Sequence, residues 1–309
     1  MKALRSLLFV PGDSDRKIAK AETVPADALI FDLEDAVAAE HKAAARLRVR
    51  EFLDARRDGR RHSLWVRINP LDHADAGADL AAVIPGRPDG IVLPKTRSPE
   101  DIDVLSQRIG VYEVEHDIPG GSIRVLPVAT ETPQAIFTLG GYARCGKRLA
   151  GLTWGAEDLA AAVGATANRD AEGRWTAPFQ MVRSLCLFAA HAAGVEAIDT
   201  LYANFRDPAG LARACDEARR DGFSGMLAIH PEQVDIINRA FTEQVDIINR
   251  AFSPSAEELQ RARRIVELFE ANPDAGTLAL DGVMLDLPHL QQARRILARA
   301  AAGAPGGAS

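Results

Sequence analysis

Ala28-Leu29-Ile30-Phe31-Asp32-Leu33-Glu34 is an apolar run too short for a helix, and it stops on acids. A strand that is apolar on both faces is buried on both, as in a parallel sheet covered by helices. Outward from it, similar runs recur at Ser6 to Pro11, Leu64 to Asn69, Gly90 to Lys95, Arg124 to Thr130, Leu149 to Gly155, Glu196 to Tyr202 and Gly225 to Pro231, at spacings of roughly 22 to 50 residues. Amphipathic stretches fill the gaps, among them Asp15 to Thr23, Ala38 to Leu53, Pro99 to Ile109, Pro133 to Tyr142, Phe179 to Ala193 and Pro208 to Arg220. Several open on Pro or carry an acid in the first turn, as helices prefer. Eight alternating β and α units of this kind predict an α/β fold, a TIM (β/α)8 barrel.

Such a barrel consumes about 250 residues, so a chain of 309 holds one barrel and a C-terminal helical extension. Hydrophobic residues make up 47% and aromatics 6%, which suits a core of Ala, Val, Leu and Ile. A formal charge of -6 and a pI near 5.7 offer phosphate backbones and anionic lipids no general attraction, so neither nucleic acid nor membrane is expected as a partner. Cys145, Cys186 and Cys215 are unclustered, with neither CxxC nor zinc-ligand spacing, which reads as reduced thiols in a cytoplasmic protein. Met1 to Arg5 runs straight into the first strand without an apolar export segment, and no run reaches 18 apolar residues.

After the eighth run, Glu232-Gln233-Val234-Asp235-Ile236-Ile237-Asn238-Arg239-Ala240-Phe241 is repeated without change at Glu243 to Phe252, an 11-residue tandem duplication. Eleven residues make three helical turns plus about 20°, so a continuous helix keeps its apolar face and grows by about 16 Å. Two copies of so short a unit do not make a solenoid. The barrel is placed at 1–252, including both copies, the helical extension at 253–300 and a disordered tail at 301–309.

In a parallel barrel, chemistry gathers at the C-terminal ends of the strands. Glu131 closes the fifth run and Asp158 lies just beyond the sixth, in Gly155-Ala156-Glu157-Asp158. Neighbouring strands are about 4.8 Å apart, so the two carboxylates can share one hard cation and leave its other positions to water and substrate. The plainer reading makes each acid a helix cap. Arg67 ends the third run between apolar neighbours, where its cation needs an anion, either a substrate oxygen or a barrel-mouth acid. Asp32, Glu34 and Asp35 end the second run, placed to hold the cation's waters or Arg67. Lys95 ends the fourth, and a plain ion pair with these acids is favoured over a Schiff-base role. Arg16, Lys17 and Lys20 begin the helix after the first strand and suit a phosphate-bearing ligand. Arg56 to Arg61 reads as a helix end and a solvated loop. There is no HxxxH, GxSxG, P-loop or GxGxxG pattern.

Leu8-Phe9-Val10-Pro11-Gly12, Phe31-Asp32-Leu33-Glu34-Asp35-Ala36-Val37, Val66-Arg67-Ile68-Asn69, Val92-Leu93-Pro94-Lys95, Glu131-Thr132, Gly155-Ala156-Glu157-Asp158-Leu159 and Ile229-His230-Pro231 occur in this order. Together they closely resemble the citrate lyase beta-subunit-like CoA-ester lyases, the malyl-CoA and citramalyl-CoA lyase group of the HpcH/HpaI aldolase superfamily. The resemblance covers about residues 4 to 300. It implies a TIM barrel, Mg²⁺ with Mn²⁺ as an alternative, and a CoA thioester as substrate. It also implies Glu131 and Asp158 as metal ligands, with Glu131 beside the substrate as well, Arg67 as the residue that contacts substrate and stabilises a thioester enolate, and Arg16 and Lys20 near the CoA phosphates. In stand-alone members a lid Asp acts as acid or base in the neighbouring subunit. Met284-Leu285-Asp286-Leu287-Pro288-His289 matches that element, which makes Asp286 the candidate and the extension a lid in a homo-oligomer, trimer or hexamer. The reaction implied is reversible cleavage of a 3-hydroxyacyl-CoA to glyoxylate or pyruvate and an acetyl-CoA-type product. A malyl-CoA thioesterase and a carrier-dependent citrate lyase beta-type subunit are the alternatives. Pro94, Thr153, Trp154 and the insert Gly164 to Pro178 are expected to shape the acyl pocket. The duplication departs from the family pattern: if it lengthens a helix it displaces Asp286, and if it loops out the lid can still dock.

Overall fold

A computed structural model describes residues 4–252, 256–272, 276–280 and 283–302. It alternates β1 (Ser6–Pro11), α1 (Asp15–Glu22), β2 (Ala28–Asp32), α2 (Lys42–Asp54), β3 (Ser63–Arg67), α3 (Ala76–Val83), β4 (Gly90–Leu93) and α4 (Glu100–Glu115). The second half follows with β5 (Arg124–Pro127), α5 (Pro133–Ile136), β6 (Gly151–Thr153), α6 (Ala156–Val163), α7 (Ala177–Ala193), β7 (Glu196–Asp199), α8 (Pro208–Asp221), β8 (Gly225–Ala228) and α9 (Pro231–Phe252). Beyond these lie α10 (Ala256–Glu270), β9 (Thr277–Leu280), β10 (Val283–Asp286) and α11 (Leu287–Ala302).

The eight strands pair in parallel in the order β5-β4-β3-β2-β1-β8-β7-β6. Isolated parallel bridges Val125↔Leu149 and Val128↔Thr153 bring the two edges together, so the expected barrel is nearly closed. Side chains alternate across each strand. Leu7, Ala28, Ile30, Trp65, Val92, Leu126, Val128, Ile198 and Leu227 fill the interior, whereas Leu8, Leu29, Phe31, Val66, Ile91 and Val125 face the helices. Trp65 is the largest interior side chain and is 1% exposed. Its room comes from Gly90 on the neighbouring strand, where a Cβ would stand 2.2 Å from the indole Cζ3. Burying so large an apolar group is worth roughly 3 kcal/mol.

Polar anchors fix the outer layer. Glu113 on α4 is 1% exposed and accepts from Arg148 Nη1 at 2.8 Å and Nη2 at 2.9 Å, and from the amides of Gly121 and Ile123. Burial pushes its carboxyl up, but these hydrogen bonds and the Arg148 charge outweigh burial and hold it below the ordinary value. A depressed folded value contributes stability that is present above the ordinary carboxylate pKa and is lost as the pH falls through the folded one. Glu113→Gln is therefore expected to cost about 3 kcal/mol at neutral pH and to flatten the acid limb of stability below about pH 4.5. Urea melts of both proteins across that range check this, and parallel acid limbs would remove Glu113 from the account.

The chain divides into one unit over Met1–Thr242 and another over Glu243–Ser309. Both copies of the duplicated segment are helical, within α9. The first copy docks in the barrel unit: Val234, Ile237 and Phe241 are buried, Gln233 Nε2 donates to the Tyr202 carbonyl, and Asn238 Nδ2 donates to the Pro25 carbonyl. In the second unit, Ala262, Ile265, Phe269, Leu285, Leu290 and Ala293 form a small core. The extension is helical, as expected, but it also holds a hairpin, with β9 antiparallel to β10 and Leu285 opposite Leu278. Of the tail placed at 301–309, the first two residues end α11, and 303–309 lie outside the described residues. Among the described residues no helix is long and apolar enough to cross a membrane.

Candidate active site

Parallel register delivers the charged residues to one end of the barrel. Asp32 and Arg67 are direct partners across β2 and β3, so their side chains meet in a two-pronged pair, Nε to Oδ1 at 2.8 Å and Nη2 to Oδ2 at 2.6 Å. Arg67 Nη1 also lies 2.9 Å from Glu34 Oε2. That oxygen has no well-directed hydrogen bond, so the contact is charge against charge. The guanidinium rests over the Phe9 ring, 4.8 Å from its centroid. Desolvation opposes the Arg67 charge, but Asp32, Glu34 and Glu131 outweigh it and hold the group protonated.

Lys95 sits just past β4 with φ 50, in the left-handed region that a residue with a Cβ seldom visits. That backbone turn aims its amide at Glu131 Oε2. Its ammonium pairs with Glu34, with Asp35 at 3.2 Å and with Asp158 at 3.5 Å. Burial works against the ammonium, and the acids override it and raise its pKa. A lysine held protonated in this way is a poor nucleophile, so the ion-pair reading of Lys95 stands over the Schiff-base one.

Glu131 is 4% exposed and lies against Gly155, where a Cβ would come within 2.6 Å of Glu131 Cγ. Any side chain at 155 would displace the Glu131 carboxylate. Burial, with Asp158 and Glu34 adding like charge, drives the Glu131 carboxyl up to about 8 against the pull of Lys95. Among the described residues, Asp32, Glu34, Asp35, Glu131 and Asp158 thus face only Arg67 and Lys95, an excess of negative charge that suits a divalent cation. Among the described residues no group of three or more His, Cys, Asp or Glu side chains is set up to hold a metal. Two carboxylates at such a site would be a set that fits Mg²⁺ completed by water and substrate.

Arg16 and Lys20 are exposed on α1 and, with Lys17, line a cleft of about 810 Å³ between the ends of β1 and β8. Its floor includes Phe9, so the cleft reaches the ring on which Arg67 rests although the carboxylates themselves lie outside it. Asp286 ends β10 in the second unit, where its Oδ1 lies 2.5 Å from His289 Nδ1 and accepts from the His289 amide at the start of α11. His289 holds its carboxyl below the ordinary value.

Trp154 belongs to the outer core rather than the barrel interior: it packs against Trp175 of the insert, with ring centroids 4.9 Å apart, and donates from Nε1 to Asp199. Its neighbour Thr153 alternates inward and is wholly buried. Sequence reading also missed Asp79, which is 0% exposed and accepts from the Asn69 amide, Asn69 Nδ2 and Arg46 Nε, fixing the loop that follows Arg67. An acid inside the apolar helix Ala76–Val83 was the available signal.

The comparisons with known proteins bear on the family and the fold. The HpcH/HpaI aldolase/citrate lyase family model matches residues 5–231. The citrate lyase subunit beta of Haemophilus influenzae is 32% identical over 311 residues, covering 98% of this chain and 99% of its own. A (3S)-malyl-CoA thioesterase of Cereibacter sphaeroides is 34% identical over 300 residues, 96% and 95% of the two chains. The crystal structure of CitE from Mycobacterium tuberculosis in complex with magnesium, acetoacetate and coenzyme A aligns with a TM-score of 0.65 at 31% identity, over 97% of this chain and 99% of that one. On its sequence, its barrel and these relatives, the chain belongs to the HpcH/HpaI aldolase/citrate lyase family.

Proposed function

We propose that this protein is a Mg²⁺-dependent carbon-carbon lyase that cleaves a 3-hydroxyacyl-CoA of the malyl-CoA or citramalyl-CoA type. The observation that carries the reading is the carboxylate pair Glu131 and Asp158 beside a fixed guanidinium, next to a cleft with three cations. Support also comes from the solved relative, whose complex contains magnesium and coenzyme A. Held by Glu131 and Asp158, Mg²⁺, or Mn²⁺ in its place, would supply Lewis-acid polarisation and a template for the substrate carboxylate and hydroxyl oxygens.

The chain's own groups do the rest. Arg16 and Lys20 bind the CoA phosphates as point charges and a fork. Arg67 spends two of its five N–H groups on Asp32 and turns one towards Glu34, which leaves two for the thioester oxygen. When the 3-hydroxyl gives up its proton, the C2–C3 bond breaks and its electron pair moves into the thioester. Arg67 then stabilises the enolate oxygen until carbon is protonated. Asp286, contributed by the lid of a neighbouring subunit in a trimer or hexamer, is the acid or base for these transfers. Asp32, Glu34, Asp35 and Lys95 fix Arg67 and the carboxylates in place. A soluble cytoplasmic setting accompanies this reading, in line with three thiols in no disulfide.

Incubation with Mg²⁺ and malyl-CoA or citramalyl-CoA, following 2-oxoacid and free thiol in parallel, tests the proposal. EDTA-sensitive 2-oxoacid without thiol supports the lyase. Thiol alone favours the thioesterase that the Cereibacter relative suggests, and silence in both favours a carrier-bound substrate.

The duplication bears on the lid. The first copy makes barrel contacts, and the second lies between it and Asp286 in the sequence. The metal site is expected to survive this while lid-dependent turnover suffers. Deleting Thr242 to Phe252 should raise kcat by about tenfold or more with Mg²⁺ affinity unmoved, since misplacement of a reacting group by even 1 Å can cost about 10² in rate. Unchanged activity would sink this idea.

A further inference from the structure

The turn that carries Asp158 is tied down from behind. Trp154, wholly buried, donates from Nε1 to Asp199 Oδ1 at 2.6 Å. Asp199 is 3% exposed and is itself fixed by Arg183, Nη2 to Oδ2 at 2.8 Å and Nε to Oδ2 at 3.0 Å, and by the Thr200 amide at 2.8 Å. Arg183 is anchored in turn by Asp221 at 2.6 Å and by the face of Phe223. On the other side of the turn, the Gly155 amide donates to Thr130 Oγ1 at 3.2 Å, and the Ala129 amide to the Thr153 carbonyl at 2.8 Å. Thr130 immediately precedes Glu131, and Gly155 opens the helix whose first turn holds Asp158. The two carboxylates thus stand on backbone clamped between an outer charge network and an inner hydrogen bond.

We propose that Trp154 and Asp199 are positioning residues that set Asp158 at the separation from Glu131 needed to hold the cation. The inference rests on the reading of Glu131 and Asp158 as the metal pair. A buried Arg-Asp network alone would be a structural brace. What singles this one out is that its Trp arm ends one residue before Gly155, where even a Cβ would displace Glu131. Partners that orient metal ligands from behind typically control affinity by 10 to 100-fold.

Trp154→Phe keeps the ring packing and removes only the N–H. In calorimetric titration of the purified chain with Mg²⁺ it is expected to raise Kd by about tenfold or more, while Tm in EDTA moves by only a few degrees. Excess Mg²⁺ should recover most of the lost turnover, which a general loss of folding would not allow. If the variant does not fold, the parent labelled with 5-fluorotryptophan serves instead. Its Trp154 ¹⁹F resonance should shift along the same Mg²⁺ isotherm that calorimetry gives while that of Trp65, in the barrel interior, stays put. Parent-like affinity in Trp154→Phe, or a Trp154 signal indifferent to Mg²⁺, overturns the proposal. Asp158→Asn in the same titration separates the two ideas. If it binds Mg²⁺ as the parent does, the metal-pair reading falls, whereas its failure beside normal binding by Trp154→Phe removes the positioning role alone.

Discussion

Arg67→Met is expected to lower turnover by about 10² to 10³-fold and to destabilise the barrel by about 3 to 5 kcal/mol. The stability loss follows from what remains. Asp32 and Glu34 are 1% and 3% exposed, and Asp32 loses both prongs of its only ion pair among the described residues. Glu34 keeps Lys95. The catalytic loss has a separate origin, since methionine offers no donor to a thioester oxygen that gains charge as the C–C bond breaks. Arg67→Lys divides the two effects. It restores a positive charge and so part of the stability, but a single ammonium cannot span both Asp32 oxygens and still face the substrate, so activity stays low. Denaturant melts and steady-state kinetics on both variants check this, and turnover within tenfold of the parent in Arg67→Met would remove Arg67 from the chemistry.

Glu131→Gln is expected to have the opposite sign on stability and a larger effect on rate. In the metal-free chain the Glu131 carboxyl, buried beside Asp158 and Glu34, is pushed up to about 8. Between its ordinary value and about 8 the folded state therefore holds a proton that the unfolded state has released, and stability falls as the pH rises through that window. A neutral amide of the same shape removes this penalty and can still accept the Lys95 amide. At pH 8 in EDTA, Glu131→Gln should melt at or above the parent. The parent should gain stability with Mg²⁺ according to its saturation, and the variant should gain none. Turnover should fall by about 10³-fold or more, as expected when several kcal/mol of charge stabilisation is lost. A variant that is less stable in EDTA, or that still responds to Mg²⁺, would contradict the role given to Glu131.

The fold was legible because parallel barrel strands are apolar on both faces, so all eight announce themselves as short continuous runs. The regular strands end earlier than the runs do. The second run reads through Glu34, while β2 stops at Asp32, because the last residues turn out of the sheet to aim side chains at the mouth. The gathering of Glu131, Arg67 and the acids of the second run at the barrel mouth, with Asp158 just beyond it in α6, was legible for the same reason, whereas the roles proposed for them rest on the family resemblance. Contacts built from residues distant in sequence were not legible. The left-handed backbone of Lys95, the Asp199 and Arg183 network behind Trp154, and the buried Asp79 all depend on helices packing onto strands. The stretch Pro133 to Tyr142 reads as one helix, but α5 stops at Ile136, and a 3-10 turn over Leu139–Arg144 takes in Gly140 and Gly141, which weaken a regular helix. The hairpin of β9 and β10 is only four residues a side, too short for an alternating pattern to stand out.

The central claim is that Glu131 and Asp158 together hold the divalent cation. The most direct test is a crystal of the full chain soaked with Mn²⁺ and pyruvate, with the ion located by anomalous scattering. The account predicts a single peak within about 2.0 to 2.2 Å of an oxygen from each of the two carboxylates, with pyruvate oxygens completing the shell near Arg67. A peak that touches neither carboxylate, or full occupancy elsewhere with this pair left to Lys95, would contradict it.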